Sequence, residues 1–186
     1  MTNPHQTANF AHPPRNVGAL GIEPGMVVAD FGSGSGAYVH LMAERLAHAG
    51  HVYAIDVQQD LLRRIKNDSH KRGYTNVETV WGDLERPHGS KIVADHVDRV
   101  LISNLLFQLE DKDIPLAEAF RILKPNGLVA IVDWSESFGG LGPQKQDVVK
   151  KEAAIKHMET AGFELVREFD AGAHHYGLLG KKPSHL

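Results

Sequence analysis

The stretch from Val27 to Tyr38, Val-Val-Ala-Asp-Phe-Gly-Ser-Gly-Ser-Gly-Ala-Tyr, constrains this chain more than any other. A short apolar run ends in an acid, and alternate glycines lead into a segment with helical periodicity. The pattern predicts a strand, a tight turn and a helix start. Glycine serves such a turn in two ways: it tolerates positive φ, and without a Cβ it lets a ligand lie on the backbone. Unpaired N–H groups at a helix start attract an anion. The turn is therefore expected to hold the anionic part of a nucleotide-like cofactor.

Two cofactors satisfy it. Read as Gly32-x-Gly34-x-x-Ala37, with Asp56 about 20 residues on, the stretch meets the dinucleotide fingerprint of NAD-binding domains. Read as Asp30-x-Gly32-x-Gly34-x-Gly36, it resembles motif I of the class I S-adenosylmethionine (SAM) methyltransferases. That resemblance implies that Asp30 and the turn Phe31, Gly32, Ser33, Gly34 and Gly36 handle the methionine end of the cofactor. It also implies that the acid ending the second strand takes the ribose hydroxyls. The glycines alone do not choose between the two.

The chain has 186 residues, about one domain and long enough for a substantial core. Cysteine is absent, which removes disulfides, thiolate metal sites and cysteine nucleophiles. For the family resemblance, it also sets aside relatives such as arsenite methyltransferases, which work through cysteines. No signal peptide or membrane-spanning apolar run is visible, so a cytoplasmic protein is expected. The net charge of -3 argues against a dedicated nucleic-acid binder.

In chain order, residues 1–15 are polar, carry Pro4, Pro13 and Pro14, and read as a flexible arm. The other reading is a lid, with Phe10, His12 and Arg15 folding over the cofactor. Residues 16–21 suit a short helix, and the domain proper is expected over 16–186. In 36–49, Val39, Met42, Ala43 and Leu46 form one buried stripe. Residues 51–57 read as a second strand with Asp56 near its end, the edge where open parallel sheets bind ligands. Residues 58–72 form an amphipathic helix with Leu61, Leu62 and Ile65 inward, and 77–80 a third strand.

Further motifs favour one cofactor. Gly82-Asp83-Leu84 follows the third strand. In the class I family an acidic pair here receives the adenine amino group while an apolar neighbour covers the ring. Residues 96–103 form a fourth strand, followed by Asn104-Leu105-Leu106-Phe107-Gln108. The missing prolines argue against adenine-N6 or glutamine-N5 methylation. The apolar sequence resembles the small-molecule branch, type 11 methyltransferases that include the ubiquinone and menaquinone C-methyltransferases. Phe107 and Leu109 are either a pocket wall or ordinary core. After a helix at 113–123, Leu123-Lys124-Pro125-Asn126-Gly127 resembles a turn common in SAM methyltransferases and rare in dehydrogenases.

A fifth strand at 128–134, a glycine-rich loop at 135–144 and a helix at 145–161 follow, the helix with Val148, Ile155 and Met158 facing in. Strands at 163–169 and 174–180 resemble the terminal antiparallel hairpin of class I methyltransferases. The expected fold is α/β, a Rossmann-like doubly wound sheet of seven mostly parallel strands in one domain. The implied cofactor set is Asp30, Phe31, Gly32, Ser33, Gly34, Gly36, Asp56, Val57, Gln58, Gly82, Asp83, Leu84 and Asn104.

The 12 histidines show no metal-ligand spacing, and no metal is expected. Methyl transfer is in-line attack on a reactive sulfonium, so alignment and water exclusion matter most, and a base only where the nucleophile must lose a proton. No catalytic residue stands out; His12, Asn104, Asp133, His174 and His175 are candidates. The expectation is a SAM-dependent methyltransferase of a small-molecule acceptor, yielding S-adenosylhomocysteine. An NAD-dependent oxidoreductase and a non-catalytic SAM-binding protein are the alternatives.

Overall fold

The computed structural model describes residues 11–184. Seven strands form one sheet in the order β3-β2-β1-β4-β5-β7-β6. They are β1 (Val27–Phe31), β2 (His51–Asp56), β3 (Val77–Trp81), β4 (Val97–Ser103), β5 (Leu123–Trp134), β6 (Glu164–Asp170) and β7 (His175–Lys181). The first five run parallel, and β7 is antiparallel to both β5 and β6. This is the expected Rossmann-like sheet with its closing hairpin. Strand order reverses between β1 and β4, and in open α/β sheets ligands bind outside the carboxyl ends at that switch.

Helices α1 (Pro13–Ala19), α2 (Ala37–Arg45) and α3 (Gln59–Lys71) lie on one face of the sheet, and α4 (Asp113–Ile122) and α5 (Lys151–Thr160) on the other. Side chains alternate across a strand, so β1 sends Val28 to the α1–α2 core and Ala29 and Phe31 to the opposite core. Val39, Met42, Ala43 and Leu46 are buried, as their spacing required.

Several boundaries differ from the sequence reading. The first helix starts at Pro13, inside the expected arm, because proline lacks an N–H that a first turn leaves unused anyway. His12 caps it, its Nδ1 accepting the Arg15 amide at 3.2 Å. Phe10 and the rest of 1–10 lie outside the described residues. The fifth strand begins at Leu123, so the Lys-Pro-Asn-Gly segment forms a bulge within β5 instead of a free turn. The fifth helix starts at Lys151, six residues late, because Lys150 is extended (ψ 145°) and a tight turn closes from Gln144 to Asp147. Consequently Val149, and not Val148, is the buried residue.

Candidate functional site

The glycine turn sits at the switch point. Gly32, Gly34 and Gly36 have φ of +73°, +50° and +81°, values that a side chain would strain. The turn keeps its amides for itself: those of Gly32 and Ser33 donate to Ile55 O at 2.9 and 3.0 Å, and that of Gly36 to Ser33 O at 2.8 Å. Unused donors belong instead to the first turn of α2, whose N-cap Gly36 has no side chain to cap them.

Gly34 makes the informative bond. Its amide donates to Asp56 Oδ2 at 2.9 Å, while Asp56 Oδ1 accepts the Gln58 amide at 2.8 Å. One carboxylate thus joins the turn after β1 to the start of α3, and each oxygen keeps a lone pair.

A cleft of about 260 Å³ opens beside this carboxylate. Of the residues implied by the sequence, Gly32, Gly34, Asp56, Val57 and Gln58 line one side, and Gly82, Asp83 and Leu84 another. Asp30, Phe31, Ser33, Gly36 and Asn104 do not line it. Asp83 accepts the Glu85 amide at 3.1 Å and Arg86 Nε at 3.0 Å. Gly82 packs where a Cβ would meet Gly89 O at 2.3 Å, so the connection after β3 is tightly folded. That connection is anchored by buried Glu118, which accepts both the amide and the hydroxyl of Ser90 and pairs with Arg121. Burial opposes the charge on Glu118, but the bonds from Arg121 and Ser90 outweigh it and hold its carboxyl below the usual range.

Leu61, Glu85, Leu105, Gln108 and Leu109 complete the cleft. Of these, Leu109 reads from the sequence as either pocket wall or core, and it lines the cleft where Phe107 does not. Leu61 carried a signal as an inward position of α3. Leu105 had no such signal, because its place depends on Asn104, whose φ of +53° turns the chain at the end of β4. A Cβ on Gly32 would lie 3.0 Å from Leu105 Cδ1, so Leu105 covers the turn.

Asp30 is buried on the α1–α2 face, below this cleft, and burial pushes its carboxyl up to about 7. Its Oδ2 has no hydrogen-bond partner.

The candidate bases are scattered. His12 is a helix cap. His174 Nδ1 contacts Glu136 Oε1 at 2.6 Å, and its ring stacks on Phe138 at 3.9 Å. The sequence placed His174 on the last strand, but it lies in the preceding turn at φ +60°. His175 is buried, with Nε2 2.9 Å from Asn104 Oδ1 and Nδ1 2.9 Å from Ala173 O. Asp133 is buried on the opposite face to Asp30, and burial pushes its carboxyl up to about 6. Asn104 and His175 are brought together, whereas His12 caps α1 and His174 faces Glu136. Among the described residues, no group of three or more histidines and carboxylates is placed to hold a metal.

Comparison with known proteins agrees with this geometry. A family model described as a methyltransferase domain matches residues 22–177. The chain is 33% identical over 111 residues to an arsenite methyltransferase of Halobacterium salinarum, a match covering 59% of this chain and 27% of that protein. It is 31% identical over 128 residues to the ubiquinone/menaquinone C-methyltransferase UbiE of Bordetella parapertussis, covering 68% of this chain and 48% of that protein. The chain thus spans about half the length of the UbiE relatives and about a quarter of that arsenite enzyme. The first of these findings corrects the exclusion of arsenite methyltransferases as relatives; the lack of cysteine bears only on thiol chemistry. A SAM-dependent methyltransferase of Aquifex aeolicus superposes with a TM-score of 0.84 at 25% identity, covering 96% of this chain and 93% of its own. With the antiparallel β7 inserted beside β5 and a carboxylate ending β2, the chain belongs to the methyltransferase domain family, in its class I SAM-dependent branch.

Proposed function

We propose that this protein binds SAM in the cleft at the β1–β4 switch point and transfers its methyl group to a small-molecule acceptor. The single observation behind this reading is Asp56, held by the Gly34 and Gln58 amides at the cleft wall with lone pairs left for a vicinal diol. The residues present suit the cofactor. Asp56 and Asp83 stand at successive strand ends, Leu61, Leu84 and Leu109 offer apolar walls for a purine, and Gly32 and Gly34 leave bare backbone beside them. At about 260 Å³ the cleft suits the adenosyl part, while the amino-acid end reaches towards Asp30.

The bound sulfonium would supply an electrophilic methyl group. The chain's contribution is to orient and to exclude water. Leu105 closes over the turn, and the Asn104–His175 bond fixes the wall formed by the ends of β4 and β7.

Calorimetry with SAM, S-adenosylhomocysteine and NAD tests the proposal, followed by a labelled-SAM screen over phenol, quinol, amine and thiol acceptors. Micromolar binding of the adenosyl compounds with none of NAD is the expected result. Binding of NAD alone would overturn it, and a blank acceptor screen would leave a SAM-binding protein without transfer.

A further inference from the structure

The sheet ends in two edge strands, β3 and β6, and they are guarded unequally. β6 carries Glu164, Arg167, Glu168 and Asp170, with a register irregularity between Leu165 and Arg167 and ion pairs from Arg15 to Asp170 and from Lys151 to Glu168. Charges and bulges of this kind keep an edge from pairing with another chain. β3 reads Val-Glu-Thr-Val-Trp, with one charge and an unbroken register to β2. None of its residues is buried. The Val52 amide donates to Asn76 O at 2.8 Å and the Gly82 amide to Asp56 O at 3.2 Å, which fixes the phase of the strand. Even-numbered residues turn their backbone groups to β2, so the N–H and C=O of Val77, Thr79 and Trp81 face outward. Among the described residues, no loop is hydrogen-bonded along that edge. Trp81 and Val93 are exposed there, beside a groove lined by Thr79, Val80 and Ile92.

We infer that β3 pairs with β3 of a second copy of this chain, antiparallel about a two-fold axis at Thr79, so that two seven-stranded sheets join into one. The register is self-complementary. About that axis Thr79 faces Thr79, and Val77 of each copy faces Trp81 of the other, so every outward backbone group lies in a hydrogen-bonded pair. Glu78 falls opposite Val80, and no like charges are directly opposed. Charge favours the same arrangement. Lys91 Nζ lies 4.7 Å from the Trp81 ring centroid, so the axis carries this cation to the end of the other strand that holds Glu78. The inference is independent of the cofactor reading, since the outward edge of β3 takes no part in the cleft.

The chain contains no cysteine, so one introduced thiol reports the contact. A short bifunctional thiol reagent is expected to join Thr79→Cys chains into dimers, because residues facing each other in such a pair have Cα atoms about 5.5 Å apart. Val166→Cys, exposed on the guarded edge, is expected to remain uncoupled. In ultracentrifugation the wild-type full chain should form a dimer at about 100 μM that dissociates on dilution, as small interfaces do. Thr79→Lys sets like charges face to face at the axis and should weaken the dimer about tenfold or more, while Val166→Lys leaves it unchanged. Thermal melting shows whether each variant folds; should Thr79→Lys fail to fold, the crosslinking pattern decides alone. A wild-type chain that stays monomeric overturns the inference. So does a dimer that Thr79→Lys leaves intact, or crosslinking no greater at Thr79→Cys than at Val166→Cys.

Discussion

Asp56 and Gly34 are 22 residues apart and meet through one bond of 2.9 Å, which makes a cleft-lining carboxylate also the brace of the glycine turn. Its other oxygen holds the Gln58 amide at 2.8 Å, so the same side chain sets the entry to α3. Binding and local structure are therefore linked at this position.

Asp56→Ala should lose both. Charge-assisted bonds contribute roughly 1.5–3 kcal/mol each, so S-adenosylhomocysteine affinity should fall by more than about tenfold, together with a drop in Tm. Calorimetry and thermal melting check this; undiminished affinity would remove Asp56 from the site.

Gly32→Ala should destabilise the fold. Its φ of +73° costs a side chain about 1–2 kcal/mol, and the added Cβ would press on Leu105 at 3.0 Å. Leu105→Ala in the same chain should recover the contact component and leave the backbone strain. Urea unfolding of the single and double variants separates the two.

Asp30 has a pH signature. Burial raises its carboxyl from 3.8 to about 7, so across that window the folded chain keeps a proton that the unfolded chain has released. Stability from this group falls as pH rises towards 7 and is level above it. Asp133 acts in the same direction, but only up to about 6. Asp30→Asn should therefore flatten the curve between pH 6 and pH 7 by ~1 kcal/mol and leave the variant more stable than wild type at pH 8. Denaturation at several pH values checks this, and parallel curves would contradict it.

Glu118→Ala should be strongly destabilising, because it strands part-buried Arg121 and frees Ser90. Removing one partner of a buried ion pair costs about 3–5 kcal/mol. Hydrogen exchange should show faster opening around Gly82 to Ile92, since Ser90 anchors that segment to α4. Unaltered exchange there would show that Glu118 does not hold the cleft wall.

How much was legible follows from the range of the interactions involved. The strand–turn–helix at Val27–Tyr38, the acids ending or following β2 and β3, and the closing hairpin are local patterns: apolar period, glycine spacing, an acid beside a strand end. They were enough to give the sheet and to bring Asp56 and Asp83 into one cleft. Helix limits were less legible where a local turn competes with periodicity, as at Lys150.

The sequence by itself determined the strand–turn–helix unit and the mostly parallel sheet with its closing hairpin, because period and spacing are short-range and the glycines need φ values that few other residues accept. Only tertiary structure decided that Leu105 covers the turn and that the turn's own amides are already bonded. It alone brought Asn16 to the Tyr38 hydroxyl and to Ala171, 155 residues away. Those meetings depend on which strands pair and which face each side chain takes, and no window of neighbouring residues contains that information.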